Sequence, residues 1–140
     1  MHKQNFMALS IKELIEKNKK AYTQHFYIES AYLSQSLITK ALKQIASEEK
    51  IQLSVVKPKL SDCIKTLKQE YKKSHIFKSK LKKALFNNVC EFNKDYKNVN
   101  KELKYQYPEL KLKHTAKRGI EIVASLHTTL IKLKANRAKI

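Results

Sequence analysis

The stretch FNNVCEFNKDYKNVNKEL, residues 86–103, sets amides and ammonium groups at helical spacing. With 3.6 residues per turn, Asn93, Lys97, Asn100, Lys101 and Lys104 share one face. Glu91, Asp95, Asn98 and Glu102 share another. Asn offers donors and acceptors together, and Lys supplies a point charge; such a face can hold phosphate and sugar. A second group is Lys111, Lys113, Lys117 and Arg118, gathered around His114 where a helix should open. Free backbone amides and basic side chains make a phosphate seat there. The nucleic-acid candidates are therefore Asn93, Lys97, Asn100, Lys101, Lys104, Lys113, Lys117 and Arg118. The same residues also describe a solvated helix face, and pattern alone fits both readings.

Other chemistry finds less support. No Ser/His/Asp set has a recognisable spacing, and there is no Gly-rich phosphate loop. His25 and Glu29 lie one turn apart, but a two-residue pair is short of the three or four ligands a metal needs. No metal and no cofactor is expected. Glu29 falls beside an apolar arc, where a buried carboxylate would need a partner such as His25. His127, in SLHTTLI, reads as a core histidine.

Charge narrows the partners. The chain of 140 residues has 30 basic against 12 acidic side chains, a net +18. All but Arg118 and Arg137 of the basic residues are Lys, which suits diffuse phosphate attraction better than base-specific readout. Residues 57–83 carry +8 and residues 111–140 carry +7, while residues 84–110 between them are balanced. RNA or another polyanion is the expected partner, and an acidic protein is the alternative. Cys63 and Cys90 stand alone, as in a reducing compartment. Met1-His2-Lys3 leads into no apolar signal region. The longest stretches free of charge, Ser30–Thr39 and Ile122–Ile131, are ten residues each, too short to span a bilayer. A cytoplasmic protein without a membrane segment is expected.

These side chains need helices to carry them. One Gly and two Pro in the whole chain leave few turn formers, which points to an all-α fold. SIKE, 10–13, is a capping box, with Leu9 placed to staple onto Leu14. The first helix runs from 10 to about 20 and either continues or bends into a second over 21–47. There Tyr22, Phe26, Leu33, Leu37 and Ala41 form a stripe, flanked by Ile28, Tyr32, Ile38, Leu42 and Ile45. Such a wide apolar arc marks a central helix. IQLSVVKP, 51–58, reads as a loop ending at Pro58. A third helix covers 59–74, with Leu60, Ile64, Leu67 and Tyr71 inward, and SHIFKS is a connector. The fourth, 79–106, has the cleanest period: Leu81, Leu85, Val89, Phe92, Tyr96, Val99 and Leu103, stopping at Pro108. The fifth, 113–136, starts near a capping Thr115 and turns Ala116, Ile120, Val123, Leu126, Leu130 and Leu133 inward. After an N-terminal tail, 1–9, residues 10–140 read as one up-and-down bundle of four to five helices.

In wording and order these helices resemble the HEPN superfamily of small helical domains. The resemblance rests on FYIESAYLSQSLITKALKQI at 26–45, KPKLSDCIKTL at 57–67 and AKRGIEIVASL at 116–126. It implies an RNA-linked function in bacterial defence or toxin–antitoxin systems, and a homodimer pairing its motif helices. The family's motif is Arg-Asn-x-x-x-His on the penultimate helix, with an aromatic four before the Arg and an apolar residue two after the His. Setting Phe92 and Leu103 on those anchors puts Tyr96 at the Arg position, Lys97 at the Asn and Lys101 at the His. A slip by one residue gives Lys97, Asn98 and Glu102 and loses both anchors. Neither register has a His. Metal-independent RNA cleavage needs a group that exchanges protons near neutrality, which His does with an unperturbed pKa of about 6.5. Lys101 can only neutralise charge, and a phenol of reference pKa about 10, as at Tyr96, is a poor base. The chain thus reads as a binder whose RNase site is degenerate or absent. The alternatives are an altered RNase using Lys97 and Lys101 with Glu102 and a recruited His114, or a protein-interaction module of antitoxin type.

Overall fold

A computed structural model describes residues 10–53, 55–73 and 81–138, with side chains as far as 135. The proposed tail 1–9, the Leu9 staple and the connector SHIFKS lie outside the described residues. Among the described residues five helices follow in order: α1, Ile11–Thr23; α2, Tyr27–Glu48; α3, Leu60–Lys73; α4, Lys83–Glu102; and α5, Glu109–Ala138. The fold is an all-α bundle, with no strand among the described residues. Helix α2 packs on each of the other four, and most extensively on α5.

The helix ends have local causes. Ser10 Oγ accepts from the Glu13 amide at 3.1 Å, the first half of a capping box. Asp62 reaches back to the Lys59 amide at 2.9 Å and starts α3 just after Pro58. Helices α1 and α2 are separate, because α1 ends in a Schellman turn: His25 N–H donates to Tyr22 O, and Phe26 N–H to Ala21 O. The residue that must take a left-handed conformation there is His25, at φ 66°. Helix α2 ends the same way, with Lys50 at φ 59° and Ile51 N–H on Ala46 O. Helix α4 stops at Glu102, earlier than its apolar period suggests. Two successive turns, closed by Lys104 N–H on Lys101 O and Tyr105 N–H on Glu102 O, follow it. Pro108 does not terminate α4; its carbonyl accepts from Leu112 N–H and opens α5. Helix α5 therefore begins four residues before the expected 113, and Thr115 is a buried residue of its second turn, not its cap.

The core divides in two. The larger part joins Ile38, Leu42 and Ile45 of α2 to Cys63 and Leu67 of α3, Val89 and Phe92 of α4 and Leu126 of α5. A smaller part gathers Tyr27, Ala31, Val99, Leu112 and Ala116 at the other end. Between the helices lies a buried polar chain. Ser30 Oγ donates to Asn18 Oδ1 at 2.6 Å, and Asn18 Nδ2 donates to Ser34 Oγ at 2.7 Å. All three residues are sealed from solvent, and mutual bonding keeps their burial from being costly. Gly119 of α5 lies against this chain. A Cβ there would stand 2.5 Å from Ser34 Cβ and 2.8 Å from the Phe92 ring.

This close approach changes which side of α2 faces inward. In its first half the buried line is Tyr27, Ser30, Ala31 and Ser34, and the last three are small enough for α5 to settle close. Phe26, Ile28 and Tyr32, read from sequence as part of the apolar arc, point outward and are exposed. Leu33 is only half-buried. Apolarity failed as a guide here because the tight helix contact selects small side chains over large ones.

Candidate nucleic-acid interface

Helix α4 is held by Val89, Phe92 and Val99, which are buried on one side. Tyr96 completes the stripe, half-buried, with its ring stacked on Phe92 at 5.9 Å and 13°. Burial pushes the Tyr96 phenol up from its ordinary range, and the Tyr32 hydroxyl adds to this; a hydrogen bond with Asn100 works the other way. Tyr96 is thus a packed phenol that keeps its proton.

The solvent side of α4 is basic. Lys97, Lys101 and Lys104 are exposed, and so is Lys94, which the sequence reading passed over. Lys94, Lys97 and Lys101 make one row of roughly 10 Å along the helix, and Lys104 lies just past its end, in the first of the two turns that follow. The signal for Lys94 was the same helical period that selected the other three. Among the described residues none of the four is in an ion pair.

The remaining candidates are dispersed. Asn93 turns toward α3, where its Nδ2 lies 3.5 Å from Ser61 Oγ. Asn100 sits one turn beyond Tyr96 and bonds to it. Lys113 and Lys117 are exposed on α5. Arg118 is occupied: its Nη2 is 2.5 Å from Glu91 Oε2, and its Nη1 is 3.5 Å from Asp95 Oδ2. The acidic face of α4 therefore turns toward α5 and neutralises part of the basic group expected there. Lys111 is likewise drawn to Glu102, Nζ to Oε1 at 2.5 Å.

Two clefts flank α4. One, of about 590 Å³, lies toward the start of α5 and is lined by Asp95, Asn98, Lys101, Glu102, Lys111 and His114. It brings together three of the four catalytic candidates, Lys101, Glu102 and His114, and leaves out Lys97. Among the described residues no side chain hydrogen bond orients the His114 ring, which is exposed. The other cleft, of about 570 Å³, lies on the opposite side between Tyr96, the start of α2 and the α4–α5 connector. The rings of Phe26, Tyr32 and Tyr107 open into it. The sequence pattern does not mark this cleft, because Phe26 and Tyr32 fall on the apolar arc of α2.

The other singled-out groups take structural or surface positions. His25 bonds through Nδ1 to the Tyr27 hydroxyl at 2.6 Å, and Glu29 is exposed, so the buried His25–Glu29 pair does not form. Glu29 begins the outward turn of α2, beside Ile28. His127 is half-buried at the edge of the core beside Ile11 and Val123, not within it. Cys63 and Cys90 are free thiols pushed up by burial, with Lys43 and Lys68 respectively opposing that shift. Among the described residues no cluster of three or more His, Cys, Asp or Glu side chains could hold a metal. Among them, too, no helix is long and apolar enough to cross a membrane.

No protein-family model, curated protein or solved structure matches this chain.

Proposed function

We propose that this chain is a HEPN-like protein that binds RNA, or a polyanion of similar charge density, without cutting it. The carrying observation is the row Lys94, Lys97, Lys101 and Lys104, exposed and not ion-paired among the described residues, on a chain of net charge +18. Unpaired ammonium groups at regular spacing attract phosphates and release counterions when they engage. Two further facts support binding over cleavage. Tyr96 stands packed and protonated at the motif's Arg position, and α4 has no imidazole. The same resemblance supports a homodimer linked to bacterial defence or toxin–antitoxin systems, and the two free cysteines suit a cytoplasmic protein.

The test measures binding and integrity of a labelled RNA together, for wild type and Lys97→Ala/Lys101→Ala. Intact RNA, bound more weakly by the double variant, is expected. RNA cut by wild type and spared by the variant would contradict the reading.

One observation favours a second reading, an altered metal-independent RNase: Lys101, Glu102 and His114 line one cleft. Against it stand the engagement of Glu102 by Lys111 and the lack of an orienting partner for His114 among the described residues. A general base needs such a partner to hold its geometry. Cleavage lost in His114→Ala would establish this reading. Retention of binding by acidic proteins, with no RNA affinity even at low salt, would move the assignment to an interaction module.

A further inference from the structure

The cleft on the α2 side of α4 combines properties that the lysine row does not have. Its rings are exposed although they are large: Phe26 is 56%, Tyr32 59% and Tyr107 52% accessible. Tyr96 forms its inner wall, and the lining includes one carboxylate, Glu29. Large rings left in water have a cost that the fold did not avoid, since the close contact with α5 takes Ser30, Ala31 and Ser34 instead. The rings come from three separate elements: the α1–α2 turn and first turns of α2, the middle of α4, and the α4–α5 connector. The four lysines stand outside this lining, and Lys101 lines the other cleft; the link to the basic row is through Tyr96, which Lys97 follows directly in the chain. Asn100 bonds to Tyr96 on the cleft wall, with Lys97 adjacent to Tyr96 in sequence and Lys104 one turn past Asn100.

We propose that this aromatic cleft is a stacking site for the bases of single-stranded RNA whose phosphates lie along the α4 lysine row. The inference rests on the polyanion-binding reading and adds to it the strand state of the ligand. Flat rings beside a cationic track fit a ligand with flat bases on an anionic backbone. A base-paired helix keeps its bases stacked inside and has none to offer to Phe26, Tyr32 or Tyr107. The Glu29 carboxylate can accept from amino or imino groups on an unpaired base edge, which a duplex already uses. A partner helix would instead be met by an aliphatic groove with i, i+3, i+4 pockets, and of the aliphatic side chains only Ile28 contributes to this lining.

The test compares a labelled, unstructured RNA of about ten nucleotides with the duplex formed by the same strand and its complement, by fluorescence anisotropy. The proteins are wild type, Tyr32→Ala, Tyr107→Ala, Tyr32→Phe and Lys97→Ala/Lys101→Ala. The single strand is expected to bind more tightly than the duplex. Tyr32→Ala and Tyr107→Ala should each weaken it about tenfold, as loss of one stacking platform does. Tyr32→Phe should retain affinity, and neither alanine variant should change duplex binding or the salt dependence. If the alanine variants bind the single strand like wild type while the lysine variant weakens both ligands, the stacking site is wrong and the polyanion reading stands. Absence of RNA binding at low salt would overturn both. A shift from dimer to monomer in the alanine variants, with RNA affinity unchanged, would make the cleft a self-association surface and overturn the proposal.

Discussion

Gly119 is the residue on which the helix packing turns. In a helix interior, replacing Gly with Ala ordinarily stabilises by about 1 kcal/mol. Here the new methyl would meet Ser34 Cβ, which is fixed to the backbone of α2, and the edge of a fully buried Phe92 ring. Neither can yield without moving a helix, and overpacking of that kind costs about 1–3 kcal/mol or more. Gly119→Ala is therefore expected to lower stability by at least about 1 kcal/mol in urea unfolding, against the propensity trend. Tyr71 gives a pH-dependent counterpart. Its hydroxyl donates to the Leu81 carbonyl just before α4, and burial raises its ionisation well above the usual phenol range. The unfolded chain then loses this proton first as pH rises past about 10, so stability falls through that region. Tyr71→Phe forfeits the bond to Leu81, about 1 kcal/mol near pH 7. Its deficit relative to wild type should shrink between about pH 9 and 11, because the variant has no phenol to titrate. A deficit that stays constant or grows would contradict the buried, protonated assignment.

At the scale of elements, the chain shows what helical period conveys and what it omits. Spacing located all five helices, and Val89, Phe92 and Val99 face inward as their period requires. Ends were less legible. The Schellman turns at His25 and Lys50 use residues that give no sequence signal, since Gly is the usual occupant of a left-handed position. Lys50 is exposed, so Lys50→Gly relieves backbone strain without removing a buried contact. It is expected to raise stability by about 1 kcal/mol, read as a higher urea midpoint at unchanged slope. The candidate site was legible in part for a related reason. Lys97, Lys101 and Lys104 follow from α4's own period, and Lys94 could have been added by the same rule. The aromatic cleft depends on the rotation of α2 that goes with the close approach of Ser34 to Gly119, a tertiary fact that residue type alone does not carry. The ion pairs of Arg118 with Glu91 and Asp95 are likewise a product of how α4 meets α5.

Over the whole molecule, charge and shape are distributed unequally about α4. Its acidic face meets α5 and absorbs Arg118 and Lys111, while its solvent side presents lysines with no ion pair among the described residues, and exposed rings line the cleft toward α2. A net +18 raises affinity for polyanions generally, so total charge does not by itself locate an interface. The number of counterions released does. The most direct measurement is the slope of log affinity against log salt for single-stranded RNA, in wild type and in a variant with Lys94, Lys97, Lys101 and Lys104 all changed to Gln. If the α4 row carries the contacts, affinity falls and the slope becomes shallower by about 0.7 for each engaged lysine removed. An unchanged slope, or affinity equal to wild type at every salt concentration, would place the interface elsewhere and contradict the account.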